Sequence, residues 1–174
     1  MEKAKMMLNS VLHEKNPVDR TILIRYYISE YKSANPIFLS QFFKVMFDHI
    51  YREGDIELLN VLIDNFYDEV CVYGHGSTRE INNLLSYFIS SGKISYIIRL
   101  SPIASELGDS RTLKIMSRIL LEIGRSRYID PKDIFAIKKS IHDLQTKISL
   151  GKRVKVDIID QGIFSKWRRF ECLE

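Results

Sequence analysis

The chain has 174 residues, 45% of them hydrophobic and 28% charged, with 8 Gly, 4 Pro and a formal net charge of +4. That length suits one domain or a short array of repeats, and that apolar share excludes a disordered chain. So few breakers favour long helices over many turns, and no apolar run reaches the length that crosses a bilayer.

Helix signals recur along the chain with regular punctuation. Asn16-Pro17-Val18-Asp19 puts a capping Asn before a Pro at the first helical position, with an acid in the first turn. Asn35-Pro36 repeats the device, Ser77-Thr78-Arg79-Glu80 reads as a capping box, and Asp109 and Asp130-Pro131 are two more starts. Gly54, Gly92, Gly108 and Gly124 each follow a periodic apolar stretch, where a left-handed residue closes a helix. Between these marks lie apolar stripes at helical spacing, such as Phe43, Met46, Phe47 and Ile50, or Leu58, Leu59, Leu62 and Ile63. The spacing predicts about eight helices, near 2–14, 17–32, 36–52, 55–68, 78–90, 93–106, 109–123 and 131–148. Residues 69–76 are expected to be a loop. Val154, Val156 and Ile158 alternate with Lys155 and Asp157 at strand period, so residues 151–174 are expected to be an extended tail on a helical domain of residues 1–150.

The chain also repeats itself. Eleven residues before Gly54, Gly92 and Gly124 stand Phe43, Ile81 and Leu113; eight before stand Met46, Leu84 and Met116; four before, Ile50, Phe88 and Leu120. With Asn16 marking a degenerate fourth turn, the spacings are 38, 38 and 32 residues. A helix, a turn and a second helix at that period describe stacked antiparallel helical hairpins, since one hairpin cannot bury its apolar face alone. An irregular bundle is the competing arrangement. The fold class is all-α in either case.

The stretch Ile81-Asn82-Asn83-Leu84-Leu85-Ser86-Tyr87-Phe88-Ile89-Ser90-Ser91-Gly92-Lys93-Ile94 resembles the first helix and turn of a pentatricopeptide or tetratricopeptide-type repeat. Glu53-Gly54-Asp55-Ile56-Glu57-Leu58-Leu59 resembles the same turn, and also an ankyrin repeat. In pentatricopeptide repeats the position ten before the Gly faces an RNA base, which implies a base-facing role for Lys44, Asn82 and Lys114. Only Asn82 is of the residue type that family uses to read bases, and the irregular period departs from the family's.

Catalytic motifs are missing: there is no HExxH, GxSxG, P-loop or dinucleotide fingerprint. Gly74-His75-Gly76-Ser77 comes nearest to an acid–base site, but its Ser is already assigned to a helix cap. His13, His49 and His142 lack ligand spacing, and Cys71 and Cys172 match neither a metal nor a disulfide pattern, so no metal or other cofactor is expected. No signal-peptide pattern opens the chain, so an intracellular protein, cytoplasmic or nuclear, is expected, or an organellar one if a presequence was removed.

Charge is uneven. From Lys147 to the end there are seven basic and four acidic residues, against 19 and 18 in the preceding 146. Lys152, Arg153 and Lys155, then Lys166, Trp167, Arg168, Arg169 and Phe170, interleave cations with aromatics. That mixture suits docking on an acidic protein surface with Trp167 as anchor, or phosphate contacts with stacking on unpaired bases. The expectation is therefore a non-enzymatic adaptor, a subunit of a larger assembly, holding a protein partner through its groove and tail. The alternative is an RNA-binding helical-repeat protein using Lys44, Asn82, Lys114 and the tail cations; neither a membrane nor a small-molecule substrate is expected.

Overall fold

A computed structural model describes residues 2–124 and 129–160, over 152–160 as backbone alone. It is all-α. Along the chain come α1 (Glu2–His13), α2 (Pro17–Ala34), α3 (Pro36–Glu53), α4 (Ile56–Asn65), α5 (Tyr67–Tyr73), a 3-10 turn (Gly74–Ser77), α6 (Thr78–Ser90), α7 (Ile94–Leu107), α8 (Ser110–Ile123) and α9 (Pro131–Asp160). No strand occurs among the described residues.

The starts follow their caps. Asn16 Oδ1 accepts the Val18 N–H at 3.0 Å and Asn35 Oδ1 accepts the Phe38 N–H at 3.0 Å, so the Pro that follows each Asn costs no hydrogen bond. Asp55 Oδ1 accepts the Leu58 N–H at 2.9 Å to open α4. Gly54 (φ 68°) and Gly92 (φ 67°) hold the left-handed conformation that ends α3 and α6 and lets the next helix turn back. Gly108 and Gly124 do not: one is extended and the other right-handed, so these two helices end differently from the expected pattern.

Helices pack in two rows. In one, α1 lies on α3, α3 on α6 and α6 on α8; in the other, α2 lies on α4 and α7 on α9. Within hairpins, α1 meets α2, α3 meets α4, α6 meets α7 and α8 meets α9. The first row is the continuous stack that hairpins require, while in the second α5 stands between α4 and α7. The core runs along the whole stack. Phe42, Phe43 and Phe47 from α3, Phe66 beside α4 and Phe88 from α6 are fully buried, each worth on the order of 2–3 kcal/mol of apolar transfer. Tyr27 packs edge-on against Phe42, ring centroids 5.7 Å apart, and Phe88 stacks on Tyr96 at 5.3 Å.

Polar ties cross between hairpins. Arg20 Nε donates to the Glu14 carbonyl at 2.8 Å, while its Nη1 lies 3.5 Å from Asp55 Oδ2 and 3.2 Å from Glu57 Oε2. The guanidinium thereby joins the start of α2 to the α3–α4 turn. Arg99 of α7 likewise donates to Asn60 and Asp64 of α4, and the Lys147 ammonium of α9 donates to the Glu106 carbonyl at the end of α7.

Three expectations are corrected. Residues 69–76 are not a loop: α5 and the 3-10 turn fill them, because Phe66 and Val70 are buried and draw the backbone down onto α3 and α7. The Ser77–Glu80 capping box does not form; the Ser77 side chain makes no cap bond, and the box appears instead at Asp109–Thr112. Finally, α9 runs past the boundary expected at 150. Residues 151–160 are helical where an extended segment was expected, since a helix closes its own hydrogen bonds and a lone strand cannot. The rest of the expected tail, 161–174, lies outside the described residues.

Candidate functional site

The Gly74–Ser77 turn places His75 at the surface and buries Ser77 completely. The Ser77 hydroxyl has no hydrogen-bond partner, so no base activates it and no nucleophile–base pair exists there. His49 Nε2 lies 3.5 Å from Asp55 Oδ2, inside the Arg20 tie, whereas His13 and His142 are exposed on separate helices. Among the described residues no group of three or more His, Cys, Asp or Glu side chains could hold a metal ion.

Cys71, half-buried on α5, has its thiol pushed up by burial, only partly offset by a hydrogen bond with Tyr67. Burial and the neighbouring Cys71 push the Tyr67 hydroxyl to about 12. Both groups keep their protons at neutral pH, and a protonated thiol is a poor nucleophile.

The positions aligned ten before each glycine separate in space. Lys44 and Lys114 are exposed on α3 and α8. Asn82 is only 4% exposed, between the neighbours of α6, and its Oδ1 has no partner. A base cannot reach it, so the structure does not bring these three together as a reading surface. Of the basic C-terminal candidates, Lys152, Arg153 and Lys155 lie on the helical backbone of α9. Trp167, Arg168, Arg169 and Phe170, with Lys166, fall outside the described residues.

Two surfaces carry unusual chemistry. On α2, Val18, Ile22 and Tyr26 follow one another at single-turn spacing and are 61%, 62% and 58% exposed. Glu14, Asp19, Ile22, Leu23 and Tyr26 line a groove of about 440 Å³ beside that stripe. Ile22, Leu23 and Tyr26 make its lining mostly apolar, and Glu14 and Asp19 are its two acidic residues. Tyr26 belongs to this surface, while its neighbour Tyr27 belongs to the core. The signal for the stripe was present, because α2 has apolar residues all round and one core can cover only part of them.

The second surface is on α9, where Phe135 is 70% exposed and Lys132, Lys138 and Lys139 are exposed around it. Sequence reasoning passed over it because these cations precede the stretch that stood out as basic. Further along the same helix, His142, Asp143, Thr146, Lys147 and Leu150 line a shallow groove of about 450 Å³ with Ser105 and Glu106 of α7. No helix among the described residues is long and apolar enough to cross a membrane.

Comparison of the chain with protein-family models, with curated proteins and with solved structures found no match.

Proposed function

We propose that this chain is a non-enzymatic helical-hairpin adaptor, a subunit of a larger assembly that holds a protein partner against its helices. The observation that carries this reading is the Val18–Ile22–Tyr26 stripe of α2. Isolated exposed apolar residues are ordinary, but three in a row on one face, beside an apolar groove, mark an interaction surface. The groove suits a partner helix that presents apolar side chains at one-turn spacing, with a cation to meet Glu14 and Asp19. The basic and aromatic C-terminal residues, Lys152, Arg153, Lys155, Trp167, Arg168, Arg169 and Phe170, supply a second contact. The hairpin stack supports this reading, since it offers extended surface without an assembled reactive group among the described residues.

The test is co-purification of the tagged full chain from its native source, with identification of what elutes at fixed stoichiometry. Ile22→Glu puts a carboxylate in the middle of the stripe and is expected to weaken retention by about tenfold or more, because it desolvates a charge at the centre of the contact. Circular dichroism checks that the variant keeps its helices. A partner retained equally by wild type and variant defeats the assignment of α2. A wild-type dimer that Ile22→Glu converts to monomer makes the stripe a self-contact, and then the adaptor reading fails.

A further inference from the structure

The structural elements divide the charge more sharply than the sequence order does. Residues 1–109, through the cap of α8, carry 11 basic and 14 acidic side chains. Residues 110–160, the α8–α9 hairpin, carry 12 basic and 6 acidic. The first 109 residues are thus net negative in sequence and the next 51 net positive.

Phe135 lies within the positive stretch. On a helix the side chains that adjoin a residue lie three and four positions away. For Phe135 these include Lys132, Lys138 and Lys139, so three lysines share its face of α9 within one turn on either side. All three are exposed, and none forms an ion pair among the described residues. Asp133, two positions from Phe135, does not share its face, and Asp143, one turn beyond Lys139, is the nearest carboxylate along this stripe. Among the described residues no cation stacks on the Phe135 ring; Lys3 and Lys93 cover other aromatics. On α8, the other helix of the hairpin, Arg111 and Lys114 add exposed cations, while Arg118 is held by Glu122 at 2.8 Å.

An exposed aromatic alone says little. An exposed aromatic flanked by unpaired cations is the arrangement that binds unpaired bases by stacking and their backbone by charge. We propose that the α8–α9 hairpin binds single-stranded nucleic acid, with Phe135 as the stacking platform and Lys132, Lys138 and Lys139 as phosphate contacts. An acidic protein surface, with the ring as anchor, is the competing occupant that the experiment below separates. This site is separate from the α2 stripe and does not depend on the adaptor reading.

The experiment is fluorescence anisotropy of the full-length protein with a short labelled mixed-sequence RNA, between about 50 and 200 mM salt. Wild type is expected to bind with an affinity that falls steeply with salt. The variant K132Q/K138Q/K139Q is expected to lose at least about tenfold at low salt and to lower the salt slope by about two, as loss of three phosphate contacts to a single strand requires. Phe135→Ala, at an exposed position that leaves the fold intact, is expected to lose about tenfold without changing the slope, since stacking releases no counterions. A control with the same charge change at the other end, K5Q/K15Q/K32Q, is expected to retain the wild-type slope. Three outcomes would overturn the proposal: no RNA binding at the lowest salt, equal losses in the two triple variants, or full competition by poly-glutamate together with wild-type affinity in Phe135→Ala. The last would make this an acidic-protein surface.

Discussion

Glu80 stands on α6 with only 7% of its surface exposed, and its Oε2 has no hydrogen-bond partner. Three residues earlier the Ser77 hydroxyl is in the same state, and so is Asn82 Oδ1 two residues on. Leaving a buried polar atom unpaired costs roughly 1–3 kcal/mol, whereas an apolar group of the same shape avoids that cost. Glu80→Met is therefore expected to raise stability by about 1 kcal/mol, read as a higher urea midpoint with an unchanged slope. A loss of stability of similar size would mean that the carboxylate is satisfied in solution and would refute the account. The Ser-x-x-Glu pattern was legible in the sequence as a cap. Whether it would cap or be buried was not, because the choice depends on α3 and α8 closing over α6.

At the scale of the element, α8 shows how a helix start is secured. Asp109 Oδ1 accepts the N–H groups of Arg111 and Thr112, both at 2.9 Å, and the Asp109 N–H donates to the Thr112 hydroxyl at 3.1 Å. Partial burial pushes the Asp109 carboxyl up, but the bonds from Thr112 and Arg111 outweigh it and hold the carboxyl below its ordinary 3.8. A carboxyl depressed in the folded state contributes stability above its unfolded value and loses it as the pH falls through the folded value. Asp109→Ala is expected to cost about 1 kcal/mol at neutral pH. Urea titrations of both proteins at descending pH should show that difference shrinking below about pH 4. A difference independent of pH would assign the loss to the backbone alone. Elsewhere, elements departed from their local signals: α5 and the 3-10 turn formed where a loop over residues 69–76 was expected, and α9 continued through a strand-like alternation.

Across the whole molecule, the hairpins are joined by the core and by a few long-range polar ties. Arg20 reaches Asp55 and Glu57, 35 and 37 residues away, and Arg99 reaches Asp64 and Asn60, 35 and 39 residues away. Each span is close to one hairpin, so these arginines tie successive units together. The side chain of Arg20 is only 12% exposed, which makes its contacts stronger than those of a surface pair. Arg20→Met keeps much of the stem's packing and removes the charge. It is expected to cost about 1–3 kcal/mol by leaving the Glu14 carbonyl without its donor and the Asp55 and Glu57 carboxylates without their guanidinium, measured by chemical denaturation. A change within about 0.5 kcal/mol would show that the apolar stack alone holds the first hairpins together.

The sequence by itself determined the helices of the body and most of their ends. Asn-Pro caps, left-handed glycines and apolar stripes act within a few residues, so their outcome does not wait for the fold. It also determined that the helices would pair, since each carries an apolar face that one hairpin cannot bury. Only the tertiary structure decided which polar residues are reachable. Asn82 is enclosed by the helices either side of α6, while Lys44 and Lys114, at the aligned positions, remain at the surface. The tertiary structure also left the α2 stripe uncovered, whereas the lysines beside Phe135 follow from helical spacing within α9. Burial is a property of neighbours that are distant in sequence, and no local pattern carries it.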